Sequence, residues 1–325
     1  MPLRAFLFVV AAVLAIVPGW TGYERLALLG GDAAVHAVRV PLDPRDPSRR
    51  RVGRLTFMGG VELTSPDRAF GGFSSLAVDG ARFTLLSDGG NVVRLRLGSD
   101  GRVSDAAFAE LPGGPGSGWR KQDRDSESLA IDPRTGTAWV GFERHNAIYR
   151  FGPGLTVPAL GVKPPAMQGW TINGGPETLV RRRDGSFLSI QEEGPHGRRV
   201  REILVWRGDP VAQPTPAYRL YYRPPPGCDP ADATELPDGR LLVLNRWWAP
   251  PLRFAAVLEV IDRAALRPDA VVRGTPVATI GAPLTHDNFE GVAATTEHGR
   301  TVLWLVSDDN RAPLERTLLM KFRLD

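Results

Sequence analysis

The sequence predicts an all-β fold, a β-propeller of four-stranded blades, and three observations predict it. A unit of polar residue, short apolar strand, Gly/Asp turn, second apolar strand and second acid or amide recurs five times, at 73–90, 125–143, 175–193, 229–246 and 288–310. Its head positions, Ser75, Glu127, Glu177, Asp232 and Glu290, are separated by 52, 50, 55 and 58 residues, a period that marks a radial or solenoid array. The 36 glycines and 29 prolines suit short strands joined by tight turns, and past residue 20 no long stretch has helical periodicity.

The elements follow in order. Met1–Arg4 is a short positive head, Ala5–Val17 is an apolar run, and Pro18–Gly19 breaks it. The pattern predicts a secretory signal peptide over 1–19, because the run is short for a membrane-spanning helix. Val17 and Gly19 fit a small-residue cleavage rule, but the A-x-A form is absent, so an uncleaved N-terminal anchor stays open. Either form places the body outside the cytoplasm, periplasmic or secreted, with membrane contact only through this segment. Residues 20–53 read as a lead-in, with a strand-like HAVRVPL at 36–42 and a polar loop at 43–50. The propeller domain then runs over 54–325.

Four strands are predicted in each of the first four blades: 74–79, 82–87, 91–97 and 103–111; 128–132, 137–142, 146–151 and a weak strand within 160–172; 178–182, 186–191, 201–206 and 216–222; and 233–236, 240–245, 254–261 and 271–280. The fifth has 291–295, 301–306 and 316–323 and lacks its outer strand. The apolar segment 54–63 is available to supply it and to close the ring, which removes exposed sheet edges. Five blades are counted; six would result if 33–63 built a blade of its own.

Composition narrows the chemistry. Cys228 is the only cysteine, so neither an internal disulfide nor a thiolate metal site can form. The net charge of +4 is small, scattered and nearly all arginine, and no basic helix or aromatic–basic alternation points to nucleic acid. A monomer is expected. No G-x-S-x-G elbow and no H-E-x-x-H occur, against a serine hydrolase or a zincin.

The start of an inner strand and the end of the next share one face beside the central channel. The starts carry the heads; the ends carry Asp88, Glu143, Glu192, Glu193, Asn245, Asp308, Asp309 and Asn310. Crowded carboxylates repel, and burial costs each of them further. A hard cation relieves both, and an oxygen-only donor set favours calcium. The expected ligands are Glu127, Glu177, Asp232, Glu290 and Asp308. Arg144, Arg246 and Arg311 each follow an acid or amide and are expected to hold an anionic substrate, although they equally suit neutralising their neighbours. Glu143 or His145 is the expected general base. His196 and His286 fall near the same rim, and Trp247 and Trp248 suit a pocket wall or blade packing.

ESLAIDPRTGTAWVGFE (127–143), GPETLVRRRDGSFLSIQEE (175–193) and the ending from NFEG (288–291) through SDDN (307–310) to the final strand resemble the bacterial family described as esterase-like activity of phytase. The resemblance covers roughly residues 50–325. It implies an exported β-propeller, related in shape to calcium-dependent propeller phytases, that hydrolyses ester or phosphoester bonds, with the blade-head acids Glu127, Glu177 and Glu290 as what carries over. Ser75 departs from the acid pattern, and DPAD at 229–232 only echoes the D-D-P-A segment of propeller phytases, so phytate itself is not the expected substrate. The expectation is a metal-dependent hydrolase of a small anionic ester. A non-catalytic binding propeller with a structural ion, and a lactonase on the same scaffold, are the alternatives.

Overall fold

Successive antiparallel sheets of the chain form the blades of a β-propeller, seen here in a computed structural model that describes residues 26–157, 160–194, 199–250 and 253–325. The expected signal segment lies outside the described residues, as does His196. Blade 1 consists of Phe73–Asp79, Arg82–Ser87, Asn91–Leu97 and Val103–Glu110. Blade 2 consists of Ser126–Ile131, Ala138–Phe142, Ala147–Phe151 and Leu160–Val162. Blade 3 has Val180–Arg181, Phe187–Ile190, Arg201–Trp206 and Tyr218–Tyr222, and blade 4 has Cys228–Glu235, Leu241–Ala249, Arg253–Ile261 and Thr275–Gly281. Asn288–Glu297, Arg300–Asp308 and Thr317–Leu324 begin blade 5, and Leu55–Thr64 completes it antiparallel to Thr317–Leu324. The inner strands touch in cyclic order, the fifth against the first. The described residues therefore form five blades, with the ring closed by an N-terminal strand as the sequence predicts.

Two details differ from the sequence reading. Residues 33–63 build no blade of their own: His36–Arg39 pairs on the outer side of Leu55–Thr64, Arg51–Val52 folds back on it, and blade 5 becomes a six-stranded sheet. The segment 271–280 is also not one strand. Val271–Val272 crosses to blade 3 and pairs in parallel with Tyr221 and Tyr222, and only Thr275–Gly281 serves blade 4. A short helical turn, Arg263–Ala265, redirects the chain toward blade 3, where Tyr221 and Arg223 donate backbone N–H groups to the carbonyls of Ala270 and Val272.

The core is divided among the blade interfaces. Strand 241–244 (LLVL) shows why its sequence is uniformly apolar: Leu242 and Leu244 pack toward blade 5, while Leu241 and Val243 pack toward blade 3. Trp139 and Val140 likewise face blades 3 and 1. A strand covered on both faces has no polar side to offer, so the usual two-residue alternation disappears.

Candidate active site in the channel mouth

Each inner strand enters the mouth through a one-residue irregularity, and that irregularity decides which side chains meet there. In blade 2, Ser126 pairs with Phe142 and Ser128 with Gly141, leaving Glu127 as the extra residue. In blade 5, Glu290 is extra between Phe289 and Gly291. Blade 3 places Glu177 directly after the Pro176–Gln191 bridge. A bulge re-aims its extra side chain out of the normal alternation, and these three glutamates turn into the mouth. In blades 1 and 4 the extra residues are Ser74 and Ala231, so Ser75 and Asp232 fall one position later, in the channel wall.

The wall positions stitch neighbouring blades. Ser75 Oγ accepts the Leu129 N–H at 3.2 Å, and Ser128 Oγ donates to the Pro176 carbonyl at 2.7 Å. The buried Asp232 accepts the N–H of Ala233 and, from blade 5, the N–H of Val292, each at 2.8 Å. Burial raises its pKa well above the ordinary carboxylate range while these amides pull it down, and no charged neighbour contributes. Asp232 therefore stands apart from the acid cluster it was expected to join. At the same position in blade 5 only glycine fits: a Cβ on Gly291 would meet Val306 Cγ1 at 2.7 Å and Leu76 Cδ2 at 2.9 Å, across the seam to blade 1.

The ends of the second strands form the other ring: Asp88, Glu143, Glu192, Arg246 and Asp308. The register aligns Ser87, Phe142, Gln191, Asn245 and Ser307, so blade 4 contributes arginine where its neighbours contribute acids. Arg246 reaches both ways, with Nη2 2.7 Å from Glu192 Oε1 and Nη1 hydrogen-bonded to Glu290 Oε1, which also accepts from Asn288 Nδ2 at 2.8 Å. Burial opposes its charge, but Glu290 and Glu192 outweigh that and hold its pKa up. Lys121, on the helical turn Lys121–Arg124, sits 2.5 Å from Asp88, which Arg311 meets on its other oxygen at 3.2 Å. Arg144 Nε lies 3.0 Å from Asp125 Oδ2. All three expected substrate arginines are thus already engaged by carboxylates of the mouth.

What remains is a group of acids on the blade 2–3 side. Ligand oxygens of Asp125, Glu127 and Glu143 lie within 4.8 Å of one another, and so do those of Glu143, Glu177 and Glu192. Among the described residues Glu127, Glu143 and Glu177 form no ion pair, whereas Asp88, Asp125, Glu192 and Glu290 each do. Burial, reinforced by the neighbouring carboxylates, drives Glu127 and Glu177 well above their ordinary pKa. Glu143, which shares a hydrogen bond with Asp125, is pushed to about 8 by burial and then by Glu192 and Asp125. Glu192 is raised to about 7 by burial, against the pull of Arg246. Asp308 is buried and raised by burial, then by Glu290 and Asp88, while its Oδ1 accepts the Asn310 N–H at 2.6 Å. The expected ligands thus separate: Glu127 and Glu177 join the two triads, Glu290 is held by Arg246, Asp308 lies on the Asp88 side, and Asp232 is in the wall. His145 sits half-buried on the rim, its pKa lowered by burial and then by Lys163, with the Gln122 backbone beside it. His286 hydrogen-bonds the Leu284 carbonyl at 2.6 Å.

Next to the acids is a cavity of about 440 Å³ lined by Glu192, Asp229, Arg246, Trp248 and Asn288, among others. Asn288 is 2% exposed and its Oδ1 has no hydrogen-bond partner among the described residues. Trp248, 55% exposed, is a free wall of this cavity. Sequence reasoning missed Asp125 and Lys121 as site residues. Asp125 was visible two residues before Glu127, and Lys121 was visible as one of three lysines in the chain, in the loop feeding the blade 2 head.

No curated protein matches the sequence. Among solved structures, the chain is similar to Kuenenia stuttgartiensis hydrazine synthase at 12% identity, covering 73% of this chain and 77% of that one, with a TM-score of 0.40. It is similar to a luciferin-regenerating enzyme at 12% identity, covering 92% of each chain, with a TM-score of 0.40. It is also similar to the Myceliophteria thermophila Cps50 (Swd1) β-propeller domain at 10% identity, covering 92% and 99%, with a TM-score of 0.40. A family model, phytase-like, described as esterase-like activity of phytase, matches residues 68–311. That span holds every blade head and nearly all of the mouth, and the chain belongs to the phytase-like family.

Proposed function

We propose that this protein is a metal-dependent hydrolase of a small anionic ester or phosphoester, with a divalent cation, calcium by its donor set, held on the blade 2–3 side of the mouth. Three crowded carboxylates that form no ion pair among the described residues, Glu127, Glu143 and Glu177, carry the proposal. The donor set fits a hard cation: it is all oxygen, crowded, and pushed toward protonation first by burial and then by mutual repulsion, both of which a cation would offset. Asp125 and Glu192 complete the two triads. When bound, the cation supplies electrophilic polarisation of the ester's phosphoryl or carbonyl oxygen.

The chain's own groups supply the rest. Glu143 belongs to both triads; its pKa, about 8 without the ion, would be drawn down by an adjacent cation, leaving it ionised and a better candidate base than His145, which faces the rim. Arg144, at 37% side-chain exposure, is the mouth arginine best placed to pivot from its carboxylate to a substrate anion. Arg246 and Lys121 neutralise Glu192, Glu290 and Asp88, which lessens the repulsion of an anionic ester. The N-terminal apolar run supports a periplasmic or secreted location, where calcium is plentiful enough for a modest-affinity site.

The test is turnover of nitrophenyl phosphate, nitrophenyl acetate and a lactone, with calcium or with chelator, by wild type, Glu143→Gln and Glu177→Gln. The expected result is chelator-sensitive hydrolysis that falls by about 100-fold or more in both variants. Full activity in chelator, or in either variant, overturns the assignment. Lactone as the only substrate selects the lactonase alternative. A calcium-dependent rise in melting temperature without any turnover selects the binding-module alternative.

A further inference from the structure

A second cavity, larger than the one beside the acids, is not in the mouth. It lies at the other end of the blades, between blades 5 and 1, beside the hairpin turns Gly80–Ala81 and His298–Gly299, and measures about 990 Å³, at the top of the size range of small-molecule sites. Its lining is apolar in the middle, with Phe57, Val61, Phe83, Leu97, Trp304 and Leu319. The strand pair that closes the ring has an irregularity at the opening: Lys321 pairs with Gly59 and Phe322 with Phe57, so Met58 is extra in the ladder and stands 49% exposed.

Two further features point to a ligand. Trp304 is 7% exposed, packed edge-on against Phe83 at 4.7 Å, and its indole N–H has no acceptor among the described residues. A buried donor of this kind normally finds a partner, and the residue that carries it lines the cavity. The charge around the cavity is also one-sided. Arg39, Arg50 and Lys321 line it against one acid, Glu297, which is 2.7 Å from Lys321 and committed to it. Arg39 and Arg50 donate to the carbonyls of Ser99, Pro47 and Arg49, but neither has a carboxylate partner among the described residues. Lys321 in turn stands 5.0 Å above the Trp304 ring.

We propose that this far-side cavity binds an amphipathic organic anion, its apolar body against Trp304, Phe83 and Val61 and its acid group between Arg39 and Arg50. The unpaired indole N–H is satisfied by an acceptor on the ligand. A neutral apolar molecule leaves the guanidinium pair unused, and a small inorganic anion leaves the apolar floor wet; a fatty-acid-like carboxylate meets both demands.

The experiment is calorimetric titration of the full chain with dodecanoate below its micelle concentration, with dodecanol as the uncharged control. The variants are Arg39→Gln/Arg50→Gln and Trp304→Phe, with Glu177→Gln as a mouth control. Saturable 1:1 binding is expected, weakened at least tenfold by the double arginine variant and by loss of the charge in dodecanol, and several-fold by Trp304→Phe, with Glu177→Gln unchanged. Melting curves establish that the variants are folded, and the arginine pair, being surface-exposed, gives a folded test even if Trp304→Phe does not. Absence of binding, or dodecanol binding as tightly as dodecanoate, overturns the proposal. Weakening by the arginine variant with a folded Trp304→Phe unchanged places the anion on the surface and also overturns the cavity site. Weakening by Glu177→Gln alone moves the site to the mouth, leaving the hydrolase proposal intact and this one refuted.

Discussion

Glu127 and Asp232 both stand near the start of an inner strand, both are acids, and burial raises both pKa values. They nevertheless do different things. Glu127 is the extra residue of a bulge and faces a crowd of carboxylates; Asp232 follows the bulge by one residue and holds two backbone amides of the wall. A one-residue step is a change of face on a strand. Residue type alone therefore does not assign the role; position relative to the bulge does. The wall acid is satisfied by the protein itself, whereas the mouth acids depend on whatever neutralises them.

The sharpest test of that difference is Arg246, the cation built into the mouth. Arg246→Met leaves Glu192 and Glu290 without their partner, and the ion-free protein is expected to lose about 3–5 kcal/mol. Added calcium should return part of it, read as a melting-temperature difference with and without chelator; a loss that calcium does not touch would show that Arg246 and the cation do not share the acid crowd. Next is Asp232→Ala, which strands the Ala233 and Val292 amides at about 1–3 kcal/mol each. Its melting temperature should fall while its calcium response stays that of wild type. An altered calcium response would return Asp232 to the ligand set.

Calcium itself should stabilise wild type by about 2.7 kcal/mol at a hundredfold excess over Kd. The effect has a definite pH dependence. Glu192 and Glu143 have folded pKa values raised to about 7 and about 8, above the ordinary 4.5. Folding therefore takes up protons, and ion-free stability is fully present below about pH 4.5 and is lost as pH rises through 7 and 8. Chelated protein should melt progressively lower from pH 5 to pH 8.5, and calcium should flatten the decline. Glu127→Gln should raise the chelated melting temperature and shrink the calcium response, whereas Asp232→Ala lowers the melting temperature and leaves the calcium response unchanged. The smallest expected effect is Ser75→Ala, about 0.5–1.5 kcal/mol for one buried hydrogen bond to Leu129, with no change in calcium response.

The repeat, the strands and the closing role of 54–63 were legible because short apolar runs bounded by Gly/Asp turns are local signals. The blade heads were legible only to within one residue. Ser74–Ser75 and Ala231–Asp232 offer two candidates each, and hydrophobic pattern does not say which one a bulge ejects. The pairing of Arg246 with Glu192 and Glu290 spans 54 and 44 residues. Nothing local marks such a contact, since Arg246 follows Asn245 much as Arg144 follows Glu143. The crossing of Val271–Val272 to blade 3 was hidden for a similar reason: two valines ahead of a strand read as its continuation.

The seam of the ring joins Glu62 to Leu318, more than two hundred residues apart along the chain. Until the last strand has been made, four blades stand as an open arc with unpaired edges at both ends, and the mouth has only part of its wall. Folding is thereby tied to completion: a chain cut short before Thr317 offers naked strands to aggregation and proteolysis, and only a finished one latches shut.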